Sequence, residues 1–174
     1  MSDADAASIQ ADRREWISRH HEMYLSSAGT RGHIMDLRDI GGHALTAHCL
    51  LRTKGRRSGR VYINALIYGI VAGEVVVVAS KGGADLHPDW YLNMREMREV
   101  EFQIATQAFR ASWREPEDTE REAVWTFMVG VYPPYATYQA STARVIPLVM
   151  MRPLEPIGVV RTTDDSPIGI KDHR

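Results

Sequence analysis

Only one cysteine, Cys49, stands in 174 residues, so no intrachain disulfide is available and the fold has to be held by its core. Long apolar runs are missing too. Nothing approaches the roughly 20 apolar residues of a membrane-spanning helix, and the acidic start Met1-Ser2-Asp3-Ala4-Asp5 is followed by no apolar signal segment. The expectation is a soluble, cytoplasmic protein in a reducing compartment. Charge of one sign is not in excess: 21 Lys and Arg face 22 Asp and Glu, a net charge of -1, which gives no global field for nucleic acid. No strand interleaves basic and aromatic residues to bind a single strand. The histidines form no H-x-x-x-H pair and have no cysteine partner at zinc spacing, so no metal is expected. A Walker loop, a nucleophile elbow and a strand-to-helix glycine fingerprint are all lacking, which argues against a phosphate-loop enzyme, a hydrolase triad and a parallel dinucleotide-binding fold.

What is present is a chain of about one domain's size with mostly short links between elements. Residues 1–7 are expected to lack order. Ile9, Trp16, Ile17, Tyr24 and Leu25 then share one side of a 3.6-residue period, with Arg13, Arg14 and Arg19 opposite, which predicts an amphipathic helix from Ser8 with Gly29 as its C-cap. Its apolar face either packs on the domain or makes a peripheral membrane contact. Residues 30–42, with three glycines and no clean period, are expected to loop over the site. From residue 45 to 51 apolar and polar residues alternate, a half-buried strand. Residues 61–71 form a second strand, and the valine run 75–78, apolar on both faces, a third and fully covered one. Pro88 is placed for the first turn of a helix running to about residue 98. Strands at 100–104 and 109–113 make a hairpin. Thr119-Glu120-Arg121-Glu122 has the spacing of a capping box, followed by Val124, Phe127, Met128 and Val131 on one helical face and a stop at Pro133-Pro134. A last strand spans 145–151, with Pro147 arguing for an edge or a bulge. Such an order predicts an antiparallel, mainly β barrel with helices (α+β), divided as residues 1–42 helix and loop, 43–153 barrel, 154–174 mobile tail.

Three features point to chemistry. Arg52, Lys54, Arg56, Arg57 and Arg60 lie within nine positions around Gly55 and Gly59, either a solvated hairpin tip or a clamp in which guanidinium groups and bare amides hold phosphate or carboxylates. Lys81 follows the valine strand just before Gly82-Gly83 and a helix start, a second place for an anion. Tyr132, Tyr135 and Tyr138, three apart after a double proline, would line one side of a helical turn, as packing or as a phenol-bearing pocket wall. Trp90 and Tyr91 in the first turn of the helix that Pro88 opens also read as core anchors, and for Trp90 taken by itself that is the better reading. Cys49, on a strand, reads as a buried apolar group.

The motifs Leu50-Leu51-x-Thr53-x-Gly55-Arg56-Arg57-Ser58-Gly59, Val78-Ala79-Ser80-Lys81-Gly82-Gly83-Ala84, His87-Pro88-Asp89-Trp90-Tyr91-Leu92-Asn93 and Tyr132-Pro133-Pro134-Tyr135-Ala136-Thr137-Tyr138-Gln139, with Arg144-Val145-Ile146-Pro147 behind them, occur in that order. Together they resemble the deazaflavin-dependent nitroreductase family, split β-barrel proteins of FMN-binding type that use coenzyme F-420. The resemblance spans residues 43–153. It implies that Lys54, Arg56, Arg57 and Ser58 hold the phosphate and oligoglutamate tail, with Lys81 nearby. It implies further that Tyr62, Ile63, Asn64, Ala65, Leu66 and Ile67, and Val78, Ala79, Ser80 and Lys81, line the ring and ribityl chain through main-chain contacts. Asp89, Trp90, Tyr91, Leu92 and Asn93 would close over the cofactor, and Tyr135 would face the ring. The chain departs from the family at Tyr62, where arginine is frequent, and at Ala65, where proline is usual.

The implied activity is transfer of hydride from reduced coenzyme F-420 to an electron-poor small molecule: a quinone, an activated alkene or a nitroaromatic. That chemistry needs orientation and a proton or hydrogen-bond donor, not a metal. Tyr138 and Tyr135, with Ser80 behind them, are the candidate catalytic residues, since a phenol can donate to a nascent oxyanion. An FMN-dependent reductase on the same barrel and a non-catalytic carrier of the coenzyme are the alternatives. A monomer or homodimer is expected.

Overall fold

The computed structural model describes residues 3–163, without the side chains of residues 3–11 and 13, so Ile9 and Arg13 of the expected helix faces are outside the described side chains. Seven antiparallel strands follow the first helix: β1 (Ile34–Met35), β2 (Thr46–Lys54), β3 (Val61–Val71), β4 (Glu74–Val78), β5 (Glu99–Ile104), β6 (Gln107–Arg114) and β7 (Leu148–Ile157). They are ordered β1-β2-β3-β4-β7-β6-β5, and β2 also pairs with β5, which closes six strands into a barrel as the sequence leads one to expect. The helices are α1 (Asp3–Ser26), α2 (Asp89–Met94), α3 (Asp118–Val131) and α4 (Pro134–Ala140). Among the described residues no helix is long and apolar enough to cross a membrane.

Closure explains where the periodicity of two misleads. Strand β2 is paired on both sides, Leu51 opposite Asn64 of β3 and Phe102 of β5. Its second face, read as exposed, is covered by α1 and by the chain after β7: Leu50 and Ile63 pack with Tyr24 and Val160. So β2 is buried nearly throughout rather than half-buried. The valine strand β4 is buried at every position, as expected. Strand β7 starts after Pro147, pairs with both β4 and β6 and runs to Ile157, so it is internal rather than an edge. Val160 is buried, and the Arg161 and Thr163 carbonyls accept from Arg52, so the expected mobile tail is bound to the barrel through residue 163. The remainder of that tail, residues 164–174, lies outside the described residues.

Other boundaries shift for local reasons. Residues 1 and 2 are outside the description, but α1 already runs from Asp3, ahead of the expected Ser8. Among its described side chains, only those of the last turns are covered. Trp16 and Ile17 are 36% and 49% exposed, whereas His20 and Tyr24 are buried, His20 edge-on against His48 of β2 and Tyr24 donating its hydroxyl to the His48 carbonyl at 2.9 Å. Of the expected apolar stripe's described side chains, Tyr24 and Leu25 therefore pack and Trp16 and Ile17 stay exposed. Ala28 and Gly29, both left-handed, turn the chain after α1. Residues 30–42 are not simply a loop, since they hold β1 and a 3-10 turn (Arg38–Ile40), and they pack Leu37 beside Tyr132. Helix α2 is six residues long, with Pro88 at its N-cap, and stops well short of residue 98. Helix α3 begins ahead of Thr119 with Glu117 as N-cap and no side-chain cap, so the expected capping box does not form. On α3, Val124 and Met128 are buried as expected, but Phe127 is largely exposed.

Candidate functional site

The β2–β3 turn and α2 bound a cleft of about 520 Å³ lined by Gly55, Arg56, Arg57, Ser58, Tyr62, Asn64, Lys81, Pro88, Asp89, Trp90 and Asn93. Most of the polar residues expected to hold a cofactor therefore meet at one place. At Gly55 a Cβ would stand 2.6 Å from Ser58 Oγ and 2.7 Å from the Tyr62 ring, so a side chain there would displace two of the lining groups. Arg56 anchors the turn to α2: its guanidinium donates to Asn93 Oδ1 at 2.9 Å and to Asp89 Oδ1 at 3.2 Å, and its backbone N–H donates to Asn93 Oδ1 at 3.1 Å. Arg57 is exposed at the rim and has no partner among the described residues. Ser58 Oγ lies 3.2 Å from the Tyr62 hydroxyl.

Lys81 faces the cleft from the other side. Its corner is built from three consecutive left-handed residues, Lys81 at φ 49, Gly82 at 64 and Gly83 at 83, after Ser80 in the right-handed region. A right-handed residue followed by a left-handed one turns successive N–H groups toward one point, a concavity suited to an anion. Lys81 Nζ reaches the His87 carbonyl only at 3.5 Å, so it is loosely held. The expected support from a helix dipole is weak, because α2 at six residues has fewer than two turns.

The structure separates the rest of the expected set. Arg52 does not belong to the cation cluster: it is 1% exposed and paired with buried Glu101 at 2.8 Å, on the far side of β2 from the cleft. Lys54 lines an adjoining cleft of about 470 Å³ with Gly55, Arg56, Arg57, Gly59, Glu96 and Met97. Alternation along β3 puts Tyr62 and Asn64 toward the cleft but packs the Ile63 and Ala65 side chains with Tyr24 on the opposite face. Leu66, Ala79 and Leu92 pack with the barrel interior, Ile67 and Val78 with the tyrosine cluster. For these residues only the main chain is left to line a ligand. Tyr91 turns its hydroxyl to Glu115 at 2.6 Å, and burial, followed by that bond, pushes its pKa up to about 12. Cys49 is buried as expected, and burial pushes its thiol up to about 12.

The tyrosines cluster as their spacing requires. Tyr132 and Tyr135 rings are 5.0 Å apart and edge-on, Tyr138 is 6.3 Å from each, and the Tyr132 and Tyr138 hydroxyls are 3.4 Å apart. Tyr135 is buried against Trp125 as well, and burial raises its phenol far above the usual range. Tyr138 is half-buried and touches the Lys81 corner: a Cβ at Gly83 would meet Ser141 Oγ and stand 3.0 Å from the Tyr138 backbone. Ser80 closes the β4 end of that corner. Sequence reasoning did not single out Gly55 and Pro88 as lining residues, nor Glu115 or Arg144 as supports. Gly55 and Pro88 sit inside the motifs, next to residues that were selected for their charge.

Comparison with known proteins places these residues in context. The model of one family, F420H(2)-dependent quinone reductase, matches residues 16–153. An F420H(2)-dependent quinone reductase of Mycobacterium tuberculosis strain H37Rv is 27% identical over 152 residues, 80% of this chain and 97% of the relative. Among solved structures, an F420-H2 dependent reductase is 37% identical with a TM-score of 0.56, over 60% of this chain and 93% of that one. Another, described as a domain-swapped dimer, is 32% identical with a TM-score of 0.58, over 80% of this chain and 99% of that one. This chain belongs to the F420H(2)-dependent quinone reductase family.

Proposed function

From that membership we infer that the chain is an oxidoreductase that transfers hydride from reduced coenzyme F-420 to a quinone-type acceptor. The observation that carries the reading is the cleft itself. Arg57 and Lys81, two cations with donors to spare, both line a space large enough for a phosphorylated ring cofactor, with the mostly buried Trp90 in its lining and the tyrosine helix against the Lys81 corner. The reading is also supported by the F-420 dependence named for the relatives, which gives the FMN alternative no footing.

When bound, the deazaflavin supplies a two-electron hydride donor; the chain's residues bind, orient and protonate around it. Arg57 and Lys81 would hold the phosphate and tail carboxylates by charge-assisted bonds, and Arg56, fixed by Asp89 and Asn93, would set the turn's geometry and share the anion. Trp90 would give the ring a face to lie on. Tyr138, whose hydroxyl is close to that of Tyr132, would donate a hydrogen bond to the oxygen on which negative charge builds in the acceptor. Tyr135, fully packed, would hold the phenols in place, and Ser80 would flank them. Enones and nitroarenes are further acceptors of the same electronic kind.

A titration of the purified protein with F-420 and with FMN, then a screen of a quinone, an enone and a nitroarene under reduced F-420, tests the reading. Binding of F-420 in the micromolar range or tighter with quinone turnover is expected. Binding of FMN alone would overturn it, and tight F-420 binding without oxidation by any acceptor would favour a carrier. For assembly, α1, whose Trp16 and Ile17 are exposed, is a candidate either to exchange between two copies, one relative being a domain-swapped dimer, or to rest on a lipid surface. Sedimentation of the protein with and without anionic vesicles distinguishes the two.

A further inference from the structure

The loop joining α4 to β7 has no part in the cofactor reading, yet its polar side chains converge on one target. Ser141 Oγ donates to the Gly83 carbonyl at 3.2 Å and Thr142 Oγ1 to Asp85 Oδ1 at 2.8 Å. Arg144 does most. Its Nε donates to the Ala84 carbonyl at 2.8 Å, its Nη2 to the carbonyls of Ser80 at 2.7 Å and Ala79 at 3.2 Å, and its Nη1 lies 3.2 Å from His87 Nδ1. Everything Arg144 grips lies between residues 79 and 87, the stretch that turns the chain at Lys81.

That stretch does not hold its shape by propensity. A lysine at φ 49 sits in a region that crowds its Cβ, and such residues persist where their surroundings fix them. Arg144 supplies the constraint by tying carbonyls on both sides of the turn to one rigid fork. It does so as a partly buried cation whose bonds go to neutral acceptors instead of a carboxylate, and burial lowers its pKa against the opposing pull of Asp85. A guanidinium desolvated on carbonyls is a poor way to gain stability alone, so its geometric role is the more telling one.

The loop is itself fixed from behind. Gln139 of α4 donates to the Arg144 carbonyl at 2.8 Å and accepts from the Ile146 N–H at 2.9 Å, and Arg121 of α3 donates to the Ile146 carbonyl at 2.8 Å. With Gly83 pressed against the Tyr138 backbone, the corner and the tyrosine helix are parts of one unit.

We propose that Arg144 is a positioning residue that sets the Lys81 corner and locks it to α4, keeping the anion-gripping lysine and the acceptor-facing Tyr138 at one fixed spacing. What the corner grips rests on the F-420 reading; that Arg144 shapes it does not. His87 reports on the arrangement. Its pKa is lowered first by burial, then by Arg144 and Arg95, with Glu115 opposing, while the Tyr91 ring packs 5.0 Å away and Lys81 sits on its carbonyl.

The test uses full-length R144Q and R144K. In cofactor-free protein, hydrogen exchange over residues 79–87 is expected to rise at least tenfold in R144Q while β6 exchanges as before, and the His87 titration followed by NMR is expected to move up in pH. With cofactor, F-420 affinity is expected to fall about tenfold and kcat with a quinone to fall as well, with R144K intermediate in all four readouts. Exchange over 79–87 no faster than in the wild type, or an unmoved His87 midpoint, overturns the proposal. If R144Q does not fold, R144K is read by the same criteria. Failure of the wild type to bind F-420 would sink the cofactor reading but leave the exchange and His87 arms to judge Arg144. Wild-type binding with R144Q exchanging and binding as the wild type does would sink only the proposal.

Discussion

Two arginine-bearing loops flank the cleft, and they use their guanidinium groups in opposite ways. In the β2–β3 turn Arg57 points into solvent without a partner among the described residues, and Arg56 is held on one side by Asp89 and Asn93. In the α4–β7 loop the three guanidinium nitrogens of Arg144 all meet backbone carbonyls or His87. A cation that is to bind a ligand has to keep donors free, whereas one that shapes a site uses them within the fold. The same contrast runs from β2 into the turn after it, where Arg52 on the strand is enclosed with Glu101 and two carbonyls while Arg57, five residues on, is open.

The sharpest break of that comparison is Arg52→Ala. If Arg52 is committed to the fold, leaving Glu101 as a lone buried charge should destabilise the protein by about 3–5 kcal/mol, measured by urea unfolding. F-420 affinity under native conditions should barely change; a loss of affinity with intact stability would return Arg52 to the ligand site. A second committed group is His48, buried on β2 against His20, with its pKa lowered to about 4 chiefly by burial and then by His20. Below pH 6.5 the unfolded chain takes up a proton that the folded one refuses, so stability is complete above pH 6.5 and falls toward pH 4. The total loss from this group is about 3 kcal/mol. His48→Gln should flatten Tm against pH over that window. On the open side, charge reversal at Arg56 and Arg57 together should weaken F-420 binding about 100-fold, roughly 2.7 kcal/mol, with a modest fall in Tm from the lost Arg56 bonds to Asp89 and Asn93. Unchanged affinity would mean that the turn is a solvated hairpin tip.

How much of this could be read in the sequence follows the same division. The barrel was legible because strands alternating or wholly apolar, joined by short links, have few antiparallel arrangements. The cation turn and the Lys81 corner were legible because glycines beside cations mark both. Arg52 was not. In the sequence it stands two residues from Lys54 as one more basic residue, and only barrel closure, which sets Glu101 of β5 opposite it, reveals its partner. Arg144 was hidden for a similar reason: its contacts lie 57 to 65 residues away, and nothing local to it distinguishes an arginine that grips carbonyls from one in solvent. The exposure of Trp16 and Ile17 on α1 escaped because a 3.6-residue period records which residues share a side, not whether anything covers them.

The smallest expected effect separates two tyrosines that the sequence treats alike. Tyr135 is enclosed by Trp125 and its two neighbouring phenols, so its ring matters for packing and its hydroxyl has little access to an acceptor. Tyr138 is half-buried, beside Gly83 and the corner that carries Lys81. Phenylalanine at each position keeps the ring and removes only the hydroxyl. Tyr138→Phe should lower kcat/KM for a quinone by about 1–2 kcal/mol, some 5- to 30-fold, the scale of one hydrogen bond to developing charge, without altering F-420 affinity. Tyr135→Phe should leave turnover nearly unchanged. Equal losses at the two positions would make the hydroxyl network as a whole the donor. No loss at Tyr138 would remove the phenol from the chemistry and leave orientation by the cleft as the source of the rate.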